Sequence, residues 1–207
     1  MKKLLHIIAT PRGEESNTLQ VSRVFLEGFR AAHLDWEVEA LDLSTTALPD
    51  LTAMRVDGKY VLLGGGELAG DTKTAWTEIL AHIDRFLAAD AYLVSTPMWN
   101  FGIPYMLKHY LDVIMQPRYL FRYTATGPEG LVTNRPMTVI TSRGGSYSEG
   151  PAKAADFQEP YLRFAFGFVG IQDVTFIHAE PMAMGEELRA KALAGAKEKA
   201  RAAAARR

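Results

Sequence analysis

The chain has 207 residues, 48% of them hydrophobic and 23% charged, with a formal net charge of −1 and no cysteine. Near-neutral charge excludes a bulk attraction for nucleic acid or anionic lipid. The missing cysteines exclude disulfides, thiolate metal ligands and a cysteine nucleophile, and they suit a reducing compartment.

The length suits one core, read as a single domain over residues 1–207. Neither a secretory signal nor an apolar run of about 20 residues is recognisable. The expectation is a soluble cytoplasmic protein with no nucleic-acid and no membrane partner. In chain order, Lys3 to Thr10 (KLLHIIAT) is a short apolar run ending at a turn, the pattern of a buried parallel strand. The loop PRGEESNT follows. Leu19, Phe25, Leu26 and Phe29, with Val21 and Val24, mark an amphipathic helix to about His33. Trp36 to Leu43 alternates as a second strand. Residues 44 to 70 read as irregular, and the glycine-rich LLGGGELAG suits neither helix nor strand.

Helical spacing returns from Thr72 through Trp76, Ile79, Leu80, Ile83 and Leu87, and Ala91 to Thr96 is a third buried strand. After STPMWNFGIP, the residues Met106, Leu107, Tyr110, Leu111 and Ile114 mark a helix with Pro104 in its first turn and Pro117 beyond its end. LFRYTATGPEGLVTN reads as a loop or a hairpin turning at Thr126, Gly127 and Pro128. Pro136 to Ser142 is a fourth buried strand, Phe157 to Phe168 a helix, and Asp173 to Ala179 a fifth strand. Glu186 to Arg206 is an alanine-rich helix with acids at its start and arginines at its end, matching the macrodipole.

This alternation predicts an α/β fold, a parallel sheet with helices on both faces, because parallel strands need crossover connections. Ligands of such sheets bind beyond the carboxyl ends of the strands. The turn-rich segments after strands one, three and four should therefore gather on one edge. In the first, Thr10, Ser16, Asn17 and Thr18 offer hydroxyl, amide and helix N-terminal donors to an anion, with Arg12 nearby. The same residues also suit plain capping of the helix. Neither G-x-G-x-x-G nor a Walker lysine motif is present.

In the second loop, Trp99 and Phe101 offer flat apolar faces beside the Asn100 amide, with Pro97 and Pro104 stiffening the segment and Gly102 allowing close approach of the backbone. Packing of the two aromatic rings on neighbouring helices or at a subunit interface is the alternative. In the third, Gly144 and Gly145 leave their N–H groups unobstructed, or else serve a tight turn at positive φ, and Tyr147 stands beside them. A phosphate joined to a planar ring with a polar rim would use all three loops, and FMN has that shape.

TPRGEESNT, PMWNFGIPYMLKHYLD, FRYTATGPEGLV and TSRGGSYSEGP, in this order, resemble the FMN-dependent NADH-azoreductases, within the flavodoxin-like NAD(P)H:quinone oxidoreductases. The resemblance spans nearly the whole chain. It implies a flavodoxin-like doubly wound five-stranded sheet of order 2-1-3-4-5, and a homodimer with interface active sites. It places Thr10, Ser16 and Thr18 near the FMN phosphate, with Asn17 in the same cofactor-binding loop. Met98, Trp99, Asn100 and Phe101 fall on the isoalloxazine ring, and Ser142, Arg143, Gly144 and Gly145 on its opposite edge. Tyr123, and Phe168 from the partner subunit, would border the substrate space. Trp99 stands where family members often carry Tyr, and Thr10 where many have Ser.

The implied activity is two-electron ping-pong hydride transfer: NADH or NADPH reduces FMN, leaves, and a quinone or azo compound takes the electrons. No protein nucleophile or metal is needed. The alternative is a flavodoxin-like FMN electron carrier without NAD(P)H turnover, although such carriers are typically strongly acidic. A hydrolase lacks an evident nucleophile–base pair, and an interaction protein would use Trp99 and Phe101 as a hot spot. His6 and His178, inside apolar strands, read as satisfied core residues. His33, His82 and His109 read as partly exposed helix residues without metal-ligand spacing.

Overall fold

In the computed structural model, which describes residues 1–206, the apolar runs become strands β1 (Lys2–Ile8), β2 (Trp36–Asp42) and β3 (Ala91–Pro97). A hairpin of β4 (Phe121–Thr124) and β5 (Gly127–Gly130) follows, then β6 (Met137–Ser142) and β7 (Val174–Ala179). Helices α1 (Asn17–Ala32), α2 (Ala53–Leu63), α3 (Gly70–Ala75) and α4 (Thr77–Leu87) precede β3. Helices α5 (Tyr105–Ile114), α6 (Glu159–Phe168) and α7 (Glu186–Ala204) complete the chain. The five-stranded sheet is parallel, in the order β2-β1-β3-β6-β7. With the hairpin set aside, this is the order 2-1-3-4-5 implied by the resemblance.

Successive strand residues point to opposite faces, so each central strand feeds two cores. Leu5, Ile7, Tyr92, Val94 and Val139 pack with Ile79, Ile83 and Phe86 of α4 and Leu107, Tyr110 and Leu111 of α5. Leu4, Leu93, Ile140 and Ile177 pack on the other face with Val21, Phe25 and Phe29 of α1 and the alanines of α7. The alanine face lets α7 lie close on α1: a Cβ at Gly28 would stand 3.1 Å from the Ala204 Cβ.

The main departure from the sequence reading is α2, within residues read as irregular. Only Gly58 and Leu62 of this helix are buried, while Met54, Val56, Tyr60, Val61 and Leu63 are exposed, so no single apolar stripe announces it. Gly58 is required by a neighbour: a Cβ there would meet Trp76 Nε1 at 2.2 Å, and that nitrogen donates to the Arg55 carbonyl at 2.9 Å. LLGGGELAG is divided, with Leu62 and Leu63 ending α2, Gly65 at φ 83° and Gly70 opening α3. The helix expected from Thr72 is likewise two helices meeting at Trp76.

Pro104 is the residue capping α5 rather than part of its first turn. The hairpin turns at Ala125 and Thr126, because Thr124 pairs with Gly127. Among the described residues, no helix is long and apolar enough to cross a membrane, and no group of three or more His, Asp or Glu side chains is arranged to hold a metal ion.

Candidate functional site

The segments after β1, β3 and β6 meet in one cleft of about 170 Å³ at the carboxyl edge of the sheet. The first contributes Thr10, Arg12, Ser16 and Asn17, the second Pro97, Met98 and Trp99, and the third Ser142, Arg143 and Gly144. Met182, after β7, closes one side. Ser16 caps α1 by accepting from the Leu19 amide at 3.3 Å, and Thr10 Oγ1 donates to Ser16 Oγ at 3.3 Å. The amides of Asn17 and Thr18 begin the helix and precede any carbonyl four residues upstream within it, so the cleft receives the positive end of α1. Ser16 thus serves as a cap, and the helix end it caps lines the cleft.

Thr18 lies just behind this wall, fully buried, its hydroxyl 2.7 Å from Ser142 Oγ; this contact ties the first loop to the third. The Asn17 side chain faces outward to Arg189 of α7, accepting from its Nη2 at 3.0 Å.

The second loop is a strained corner. Trp99 and Gly102 exchange backbone hydrogen bonds, each 3.0 Å, around Asn100 at φ 48° and Phe101 at φ 70°. Two consecutive residues with Cβ atoms in the left-handed region, one of them Phe, cost on the order of 1–3 kcal/mol each. The conformational burden thus falls on Asn100 and Phe101 rather than on Gly102, where an added Cβ would find its nearest neighbour, the Trp99 carbonyl, at 4.0 Å. The corner leaves Trp99 partly exposed at the cleft and Phe101 half exposed beside Tyr147, with ring centroids 6.3 Å apart. On its other side Trp99 borders a second cavity of about 290 Å³ with Tyr105 and His109.

In the third loop, neither Gly144 nor Gly145 has a positive φ, so the tight-turn explanation of these glycines fails. The protein's own packing does not demand them either: a Cβ at Gly144 would meet the Ala183 Cβ at 3.7 Å, and one at Gly145 would meet Tyr147 at 3.4 Å. The Gly144 carbonyl accepts from the Met182 and Ala183 amides at 3.1 and 2.9 Å, which holds this loop against the segment after β7.

Arg143 lines the cleft while its guanidinium turns away into the protein. That guanidinium is fully buried among carboxylates. Nη1 lies 3.0 Å from Asp156 and 3.6 Å from Glu180, Nη2 lies 3.9 Å from Glu159, and Nε donates to Gln158 Oε1 at 3.2 Å. Glu180 in turn accepts from the Tyr147 and Ser148 amides at 3.0 and 2.9 Å. Burial pushes the Glu180 carboxyl up, but hydrogen bonds from Ser148 and Tyr147, together with Arg143, outweigh it and leave the group below its ordinary range. The hydrogen bond from His178 Nε2, at 2.7 Å, leads the causes that pull Glu159 down to about 2 against the effect of burial.

His178 also meets Thr141 through Nδ1 at 2.8 Å, and the buried His6 shares a 2.7 Å hydrogen bond with Ser95. Both are satisfied, as expected. Burial lowers the His6 pKa to about 4, so its ring is neutral at pH 7. His33 and His109 each contact a backbone carbonyl, and burial lowers His82.

Most of the sequence-predicted site is thus brought together: Thr10, Ser16, Asn17, Met98, Trp99, Ser142, Arg143 and Gly144 line one cleft. Thr18, Asn100, Phe101 and Gly145 adjoin these residues in sequence without lining the cleft, and two more, Phe168 and Tyr123, stand apart from it. Phe168 packs on Phe121 and lines a cavity of about 450 Å³ with Tyr60 and Met115. Tyr123 lines another, of about 400 Å³, with Leu62 and Arg118. Neither cavity shares a lining residue with the cleft. Sequence reasoning missed Asp156, Gln158, Glu180 and Met182, none of which lies in a motif.

A family model described as a flavodoxin-like fold matches residues 2–204. The chain is 40% identical to the FMN-dependent NADH:quinone oxidoreductase of Nostoc sp. over 203 residues, which covers 96% of each. It is 37% identical to the enzyme of the same name from Desulfotalea psychrophila over 198 residues, covering 95% of this chain and 93% of the relative. Among solved structures, an azoreductase from Bacillus anthracis superposes with a TM-score of 0.91 at 27% identity, covering 100% of both chains. An FMN-dependent NADH-azoreductase from that organism, in complex with FMN, superposes with a TM-score of 0.88 at 28% identity, covering 100% of this chain and 99% of the other. The chain therefore belongs to the flavodoxin-like fold family that includes these FMN-dependent oxidoreductases.

Proposed function

We propose that this chain is an FMN-dependent NAD(P)H oxidoreductase that reduces quinones, azo compounds or both, built on a doubly wound sheet and acting as a cytoplasmic homodimer. The observation that carries the reading is the convergence of three sequence-distant loops on one cleft at the carboxyl ends of β1, β3 and β6. The names of its relatives supply the reaction class. The residues present suit FMN. Ser16, Thr10 and the first amides of α1 offer a phosphate neutral donors and a helix dipole. Gly144, which the fold itself does not require, leaves room for close approach of a ring edge.

The cleft is smaller than the roughly 300–1,000 Å³ of typical small-molecule sites. The cofactor would therefore extend over the open rim, where Trp99 supplies flat apolar surface and the exposed Phe101 follows it by two residues. A second subunit would cover that rim. Tyr60 and Phe164 are 67% and 74% exposed beside the cavity that Phe168 lines, an apolar face that suits burial against a partner copy. Phe168 and Tyr123 would then border the partner's site.

When bound, FMN supplies two-electron hydride chemistry between NADH or NADPH and a quinone or azo acceptor, which take turns in a ping-pong sequence. The protein's part is to bind and orient. The α1 N-terminus holds the phosphate end, the strained Met98–Phe101 corner walls the ring, and the Gly144 and Gly145 amides serve as donors to its polar rim. Tyr123 and Phe168 shape the acceptor space.

The test is reconstitution of the purified chain with FMN, followed by NADH oxidation with menadione as acceptor. Yellow flavin absorbance that survives gel filtration, and turnover that depends on FMN, are expected. A chain that takes up no FMN overturns the reading. FMN uptake without NADH or NADPH oxidation would leave an electron carrier instead.

A further inference from the structure

The segment just before α6 grips both ends of the strained corner. Phe157 donates its amide to the Phe101 carbonyl at 3.0 Å. Gln158 is fully buried and uses both ends of its side-chain amide: Nε2 donates to the Pro97 carbonyl at 2.8 Å, and Oε1 accepts from Arg143 Nε at 3.2 Å. Its position is itself constrained, because Asp156 Oδ1 accepts from the Gln158 and Glu159 amides at 2.9 and 3.1 Å while Asp156 Oδ2 pairs with Arg143. Gln158 thus bridges the last residue of β3 and the first residue after β6, the two strand ends from which the ring-contacting loops depart.

Two consecutive non-glycine residues at positive φ persist only where their surroundings hold them. A corner preformed this way spares a ligand the cost of ordering it. We infer that Gln158 is a positioning residue, one that keeps the Met98–Phe101 corner in the shape that receives the flavin ring. This rests on the FMN reading above. A buried glutamine is suited to the task because one rigid amide provides a donor and an acceptor in opposite directions. Leucine in its place would leave the Pro97 carbonyl and Arg143 Nε without that partner. Glutamate would keep an acceptor for Arg143 but offer the Pro97 carbonyl no donor.

The experiment compares wild type, Gln158→Glu and Gln158→Leu in three measurements. In flavin-free protein, hydrogen exchange at the Trp99 and Gly102 amides reports the reciprocal pair that closes the corner. FMN titration by fluorescence reports affinity, and visible-region circular dichroism of the bound flavin reports how the ring is seated. Loss of one buried hydrogen bond is expected to speed exchange at both amides about tenfold and to weaken FMN binding about tenfold in Gln158→Glu, with altered flavin dichroism. Gln158→Leu should show the same changes, with a larger fall in melting temperature.

If Gln158→Glu exchanges, binds FMN and shows flavin dichroism like wild type, the residue is packing only and the inference is wrong, even where melting temperature falls. If wild type binds no FMN, the function proposed above fails, and this inference fails with it. Tight FMN binding by wild type that Gln158→Glu retains would sink the positioning role alone.

Discussion

Two concave regions of this molecule differ in what made them. The cleft at the sheet edge is small, about 170 Å³, and is lined by hydroxyls, helix amides and a glycine loop. The cavity between α2, α5 and α6 is larger, about 450 Å³, and is walled by Tyr60, Met115, Phe121, Phe164 and Phe168. Size points to the second and chemistry to the first. The difference follows from how each region satisfies its groups. Around the cleft, polar groups are paired with one another, which draws the loops tight. On the α2 face, apolar side chains have no cover among the described residues, so the surface stays open and concave. A large cavity can thus mark missing apolar cover, while a small one marks where donors converge.

The buried ionic cluster beside the cleft carries the largest expected effect. Arg143→Met would leave Asp156, Glu180 and Glu159 around an uncharged side chain. A loss of about 3–5 kcal/mol in unfolding free energy is expected, measured by urea denaturation at pH 7. A loss below about 1 kcal/mol would show that the buried cluster does not organise the cleft.

The second effect is pH dependence from His6, beneath the same loops and bonded to Ser95, which also meets Ser22 at 2.6 Å. Its folded pKa of about 4 lies below the ordinary value of 6.5, so the unfolded chain binds the proton more readily between those pH values. Stability from this group is therefore complete above about pH 6.5 and is lost as pH falls toward 4, by about 3 kcal/mol. The stability advantage of wild type over His6→Asn should narrow by that amount over this window. A constant gap would mean that His6 protonates freely in the folded protein.

The apolar face is tested by Tyr60→Glu combined with Phe164→Glu. Both side chains are exposed in the single chain, so folding should be little changed. Self-association should weaken by at least about tenfold in sedimentation, because charge would enter an apolar contact. An unchanged assembly size would remove this face from the proposed dimer.

These tests separate what was legible from what was not. Pro97, Met98 and Trp99 could be placed beside Ser142 and Gly144 from the sequence, because apolar runs and turn residues reveal strand ends and a parallel sheet collects those ends on one edge. Arg143 was legible as a cleft residue but not in its role. Its partners Asp156 and Gln158 lie 13 and 15 residues away, and the contact from Gln158 to the Pro97 carbonyl spans 61. The α2 helix escaped notice because its exposed apolar residues belong to no stripe and its glycine answers to Trp76.

By itself the sequence determined the alternation of strands and helices, the parallel character of the sheet and the edge on which a ligand would sit. Those follow from short-range periodicity and turn chemistry, which each segment carries within itself. Only the tertiary structure decided that Arg143 turns inward, that Asn100 and Phe101 bear the strain of the corner, and that Gln158 braces it. Pairing between buried polar groups depends on which distant segments meet, and no local pattern of residues encodes that meeting.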